Sequence, residues 1–117
     1  MNTDYDAIEM YAMKKLLLDG DEDHAILMEQ YNNRISLHRH DISSHGWFTD
    51  FTIDVNSQKI AEKKRLVISV NVALPVVGME TGIGVVLFVE NGQIDTLEAF
   101  SYDDYLPEYI EIDFEAN

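Results

Sequence analysis

Four histidines, at positions 24, 38, 40 and 45, are the side chains best suited to move protons or bind metal near neutral pH. On a strand, His38 and His40 would share one face about 7 Å apart, with Asp41 and His45 close behind. A metal centre needs three or four converging ligands, and a His-x-His pair supplies two. A His–Asp acid–base pair here lacks a Ser or Lys specifically placed as nucleophile. There is no cysteine, so thiol chemistry and disulfides are ruled out. The simplest reading of these residues is an exposed strand face. The alternative is a metal-binding enzyme or sensor built on His38, His40 and Asp41, with Glu98 as a further ligand.

Two other stretches imitate functional loops. Asp19-Gly20-Asp21-Glu22-Asp23 opens like a calcium loop, but its sixth position is His24 rather than Gly and its twelfth is Gln30 rather than Glu. A capped turn between helices is expected instead. Gly78, Gly82 and Gly84 surround Thr81, yet there is no Lys and no helix start to hold a phosphate, and Glu80 would repel one. These glycines read as turn residues. No catalytic residue and no cofactor is assigned, and the chain reads as a non-enzyme.

The elements that must position these residues change period along the chain. Residues 3–18 predict a helix, with Thr3 as N-cap, Asp4 and Asp6 at its positive end, and Tyr5, Ile8, Ala12 and Leu16 as its inner stripe. Lys14 and Lys15 near the last turn and Gly20 beyond it give the stop. A second helix is expected over 22–33, capped by Asp21 or Asp23, with Leu27, Met28 and Tyr31 inward. From Trp47 to Val55 the period becomes 2, with Trp47, Thr49, Phe51, Ile53 and Val55 on the core face. Leu66–Leu74 repeats that alternation, and Ile83–Val89 is apolar enough for a central strand covered on both faces. Asn91-Gly92 then predicts a two-residue hairpin turn into a strand over 93–102. Counting back from that turn puts Glu98 opposite Val85, on a face with Leu87, Val89, Ile94, Thr96 and Phe100. Glu98 would thus interrupt an apolar surface. Residues 56–65 read as a solvated connection, and Ile110, Ile112 and Phe114 allow a short edge strand in the tail. The expected fold is α+β, two N-terminal helices packed on a mainly antiparallel sheet of four to six strands, in a single domain over 1–117.

Charge narrows the function classes. The chain has 117 residues and carries 22 acids against 8 bases, a net charge of −14. Residues 1–31 hold −6, residues 32–89 hold +1, and residues 90–117 hold nine acids and no base, or −9. Nucleic acid and anionic membranes are excluded as autonomous ligands because phosphate contact needs a basic footprint. No stretch is long and apolar enough to span a membrane, and the acidic N-terminus does not resemble a signal peptide. A Cys-free acidic chain fits the cytoplasm. Such one-sided charge does not help folding, but it attracts a basic protein quickly and could imitate nucleic acid at a nuclease active site.

The run from Gly84 through Glu90-Asn91-Gly92-Gln93 to Leu97-Glu98-Ala99-Phe100-Ser101-Tyr102-Asp103 resembles a widespread family of small bacterial proteins. Members share an apolar strand, an Asn-Gly or Asp-Gly turn, then Leu-Glu, an aromatic and a Tyr-Asp step. Gly46-Trp47-Phe48-Thr49-Asp50-Phe51 resembles the family's glycine–aromatic–aromatic strand. The resemblance implies an α+β fold. Some similar small acidic proteins are immunity proteins of polymorphic-toxin or contact-dependent growth-inhibition systems, so it also implies binding to a cognate toxin C-terminal domain. No catalytic motif is carried over. The toxin contacts expected from charge and aromatic content are Asp19, Asp21, Glu22, Asp23, Tyr102, Asp103, Asp104, Tyr105, Glu108, Tyr109, Glu111, Asp113 and Glu115. A homo-oligomeric adaptor using apolar strand edges is a further alternative.

Overall fold

The computed structural model describes residues 5–17, 20–43, 45–62, 65–72 and 83–101, with backbone alone at 69–72. Among them are two helices followed by five strands: α1 (Tyr5–Leu16), α2 (Glu22–Asn32), β1 (Ser36–Ser43), β2 (Gly46–Thr52), β3 (Leu66–Val72), β4 (Ile83–Glu90) and β5 (Gln93–Ser101). The strands form one sheet in the order β1-β2-β5-β4-β3, and every pair in it is antiparallel. The helices pack on the sheet, giving the expected α+β architecture.

Each helix follows from its stripe and its cap. In α1 the buried positions Ile8, Glu9, Ala12, Met13 and Leu16 recur at helical spacing, and Gly20 leaves the helix region at φ 63°. In α2 Asp21 is the N-cap, its carboxylate accepting from the His24 N–H at 2.7 Å. That capped turn is what the pseudo-calcium sequence encodes. Leu27 and Tyr31 are buried as expected, and so is Gln30. Its amide donates to the carbonyls of Gln58 (2.8 Å) and Gly92 (3.0 Å) and accepts from the Ile94 N–H (2.9 Å), tying α2 to the β4–β5 hairpin.

The hairpin turn itself is as the sequence predicts. Asn91 and Gly92 take φ values of 52° and 79°, and Glu90 pairs with Gln93. A Cβ on Gly92 would lie 2.5 Å from the Ile60 carbonyl oxygen, so the turn needs glycine for space as well as for dihedral angle. Ile60 is 1% exposed and its N–H donates to the Gly92 carbonyl at 3.1 Å. The 56–65 segment is therefore not simply a solvated connection, because part of it packs over the turn and adds an apolar side chain to the core.

Three further expectations are corrected. The second strand ends at Thr52, because Asp54 starts a turn by accepting from the Asn56 N–H at 2.8 Å, leaving Val55 77% exposed. β4 is an interior strand between β5 and β3, as expected, but it is not buried on both faces: Val85, Leu87 and Val89 are buried, whereas Val86 and Phe88 on the other side are only half-buried. Glu98 pairs with Val86 rather than Val85. Phe88 pairs with Thr96 while Val89 pairs with Ile94, so Asp95 is an extra residue in a bulge. Beyond the bulge, Leu97 and Ala99 point into the core, and Thr96, Glu98 and Phe100 point to the opposite face. The Thr3 cap, the loop glycines 78 and 82, Leu74 and the possible tail strand at 110–114 lie outside the described residues.

Candidate functional site

The sheet has two faces of different character. The inward face of β1 and β2 meets α1 through one buried acid. Glu9 is fully buried and accepts from Arg39 through both carboxylate oxygens, Nη2 to Oε1 at 2.6 Å and Nε to Oε2 at 3.2 Å. Trp47 Nε1 donates to the same Oε2 at 3.0 Å, and Thr49 Oγ1 donates there too. Arg39 also pairs with Asp6 and lies 5.6 Å from the Tyr5 ring, which packs edge-on against Trp47 at 4.9 Å. The Glu9 hydrogen bonds, followed by those to Asp6, hold the Arg39 proton more tightly than in a free guanidinium, against the opposing effect of burial. Every acceptor position used here is filled, so the cluster is a clasp between α1 and the sheet.

Period and composition alone do not reveal this clasp, although the sequence carries two signals of it. Glu9 lies four residues from both Tyr5 and Met13, within the inner stripe of α1, where an acid requires a buried cation. Arg39 lies between His38 and His40, so strand alternation turns it to the face opposite theirs.

The outward face carries the histidines. The His38 and His40 rings stack with centroids 5.8 Å apart, and His40 stacks in turn on Phe48 at 5.5 Å. His40 Nδ1 is 2.8 Å from Asp41 Oδ2, and Nε2 is 2.9 Å from Asp50 Oδ2. The second contact is too poorly aligned for a good hydrogen bond and acts as an ion pair. Asp50 Oδ1 accepts from Thr96 Oγ1 at 2.9 Å, carrying the network from β1 to β5. Asp41 and then Asp50 raise the His40 pKa above its ordinary 6.5, with burial opposing them. Both His40 nitrogens are thus committed to carboxylates. Among the described residues no three His, Asp or Glu side chains are grouped to hold a metal ion.

Asp41 owes its position to a second bulge. Between His40 and Ser43 the β1–β2 register slips, and Asp41 takes φ 52°, a left-handed conformation that Asp tolerates better than most residues. The turn that follows is held by Ser43, whose hydroxyl accepts from the His45 N–H at 3.1 Å, and by the Ser101 N–H donating to the His45 carbonyl at 2.9 Å. Gly46 then enters β2 at φ 152°, where a Cβ would lie 2.0 Å from the Ala99 carbonyl oxygen. This close approach leaves a depression of about 170 Å³ at the end of the outward face, walled by Asp41, His45, Phe48, Glu98 and Phe100.

The sequence-derived sites divide accordingly. Asp41, His45 and Glu98 come together around the depression, whereas alongside it His38 stacks on His40, which stacks on Phe48. Asp21, Glu22 and Asp23 are exposed at the start of α2. Asp19, Tyr102, Asp103, Asp104, Tyr105, Glu108, Tyr109, Glu111, Asp113 and Glu115 lie outside the described residues. Among those described, no helix is long and apolar enough to cross a membrane. Compared with known proteins, the chain matches no protein-family model, no curated protein and no solved structure.

Proposed function

We propose that this is a non-enzymatic immunity protein of the cytoplasm, which neutralises a basic, nuclease-type toxin domain by binding it. The observation that carries this reading is how the two signs of charge are used. Arg34 donates to the Tyr31 carbonyl at 2.9 Å, Arg39 is clasped by Glu9 and Asp6, and Arg65 pairs with Glu90 at 3.4 Å while lying over Phe88. The arginines thus serve internal contacts, whereas Asp21, Glu22 and Asp23 face solvent. Residues 90–117 contribute a further −9 to the net charge. A field of this sign steers a basic partner into contact, and aromatic side chains such as Tyr102, Tyr105 and Tyr109 would supply the buried anchors.

The test is affinity capture from the native cell, read by mass spectrometry at low and high salt. One basic protein domain, recovered in stoichiometric amount and shed as salt rises, is the expected result. Reversing several of Asp103, Asp104, Glu108, Glu111, Asp113 and Glu115 to Lys should then slow association and flatten its salt dependence. Capture of no partner, or association kinetics indifferent to those reversals, would sink the electrostatic reading.

A further inference from the structure

We infer that the depression between the β1–β2 turn and β5 is a binding site for a planar cation, the guanidinium of an arginine side chain on a partner protein. The inference rests on the reading of a basic partner given above and specifies which part of the surface recognises it.

Size comes first. Pockets for small-molecule substrates generally enclose roughly 300–1,000 Å³, and this one encloses about 170 Å³. A cavity of roughly 150 Å³ accommodates benzene, so the space suits the flat end of one side chain. Charge comes second. Glu98 is half-buried, and its cross-strand neighbours are Phe48 on β2 and Val86 on β4. Among the described residues nothing donates to it or pairs with it. A half-buried carboxylate that opens into a depression and has no internal partner is placed to accept from a cation arriving from outside. Asp41, presented by the β1 bulge, adds a second carboxylate at the rim, with Oδ2 already turned to His40 Nδ1. Shape comes third. Phe48, whose other face carries the His40 ring, and Phe100 line the same space, and aromatic side chains beside carboxylates favour guanidinium, which stacks and donates in its own plane, over the compact ammonium of lysine. The rim is also fixed in advance, since Gly46 is pressed against β5, and little ordering remains to oppose binding.

The experiment titrates the full-length ¹⁵N-labelled protein with N-acetyl-arginine amide, N-acetyl-lysine amide and the neutral isostere N-acetyl-citrulline amide. Arginine amide should give saturable shift changes at the Gly46, Phe48 and Phe100 amides, with weaker binding of lysine amide and none of citrulline amide. Glu98→Gln should weaken arginine binding about tenfold while leaving the unfolding midpoint unchanged or higher, because the carboxylate has no internal partner to lose. Equal shifts with citrulline, binding of lysine as tight as arginine, or arginine binding untouched by Glu98→Gln would each overturn the site. If a captured basic partner bound wild type and Glu98→Gln equally well, the site would fail and the immunity reading would stand. Arginine selectivity with no basic partner in the cell would retain the site and remove that reading.

Discussion

Glu9 and Arg39 show how much one acid in a helix stripe can decide. Truncating Glu9 to Ala leaves the Arg39 guanidinium, the Trp47 indole N–H and the Thr49 hydroxyl without their shared acceptor. Breaking a buried pair by removing one member generally costs about 3–5 kcal/mol. Because the Arg39 side chain is 19% exposed and keeps Asp6, the low end, about 3 kcal/mol, is expected in urea denaturation of Glu9→Ala. Glu9→Gln should lose less, since the amide oxygen can still accept. A Glu9→Ala protein as stable as wild type would show that α1 is held by apolar packing alone. His40 makes a prediction of opposite chemical sign. Its folded pKa is raised, so the folded state binds its proton more tightly than the unfolded state. The stabilisation is complete below the unfolded value of 6.5 and disappears as pH rises through the folded value. His40→Asn should flatten this fall in stability with pH, and an unchanged profile would assign the titration to another group.

At the scale of elements, the bulge at Asp95 decides which side chains reach the core. Ile94 and Leu97 both point inward, while Asp95 and Thr96 between them both point out. Deleting Asp95 therefore joins two inward positions with regular alternation and should leave a cooperative unfolding transition. Deleting Glu98 instead turns Ala99 out and Phe100 in, and should abolish that transition. Circular dichroism during thermal melting separates the two outcomes, and equal tolerance of both deletions would contradict the register. The same bulge shows where the sequence stops being legible. The Asn91-Gly92 turn, the Asp21 cap and the inward set Trp47, Thr49, Phe51 were readable because each is a local choice governed by dihedral angles or period. An extra residue in a strand leaves no mark on an alternating pattern until the partner strand is known, so plain alternation assigns the faces of β5 the wrong way round after Ile94. Burial of Ile60 was hidden for a related reason. It is one apolar residue in a charged segment, held by a turn 32 positions along the chain. In the candidate site, Asp41, His45 and Glu98 were visible as chemistry, but their meeting around one depression depends on the β2–β5 pairing.

For the whole molecule, the net charge of −14 acts on stability as well as on partners. Like charges repel more in the compact state than in an expanded chain. Shortening the Debye length from about 30 Å at 0.01 M salt to about 3 Å at 1 M screens that repulsion. The thermal midpoint should therefore rise with added sodium chloride over the low-salt range, while association with a basic partner weakens over that range. A midpoint that fell with salt would mean that the internal ion pairs, Arg39 with Glu9 and Asp6 above all, outweigh the general repulsion. The order β1-β2-β5-β4-β3 carries a consequence for how the protein is made. The strand at the centre of the sheet is synthesised after its four companions, and within the sheet it is the strand that pairs with both the β1–β2 hairpin and the β3–β4 pair. A nascent chain that has emerged only as far as residue 92 holds two ribbons unpaired with each other, each with an open edge awaiting the same strand. Completion of the sheet is thus postponed until residues 93–101 leave the ribosome, and a message cut short before them yields no partly assembled sheet capable of binding anything across its middle.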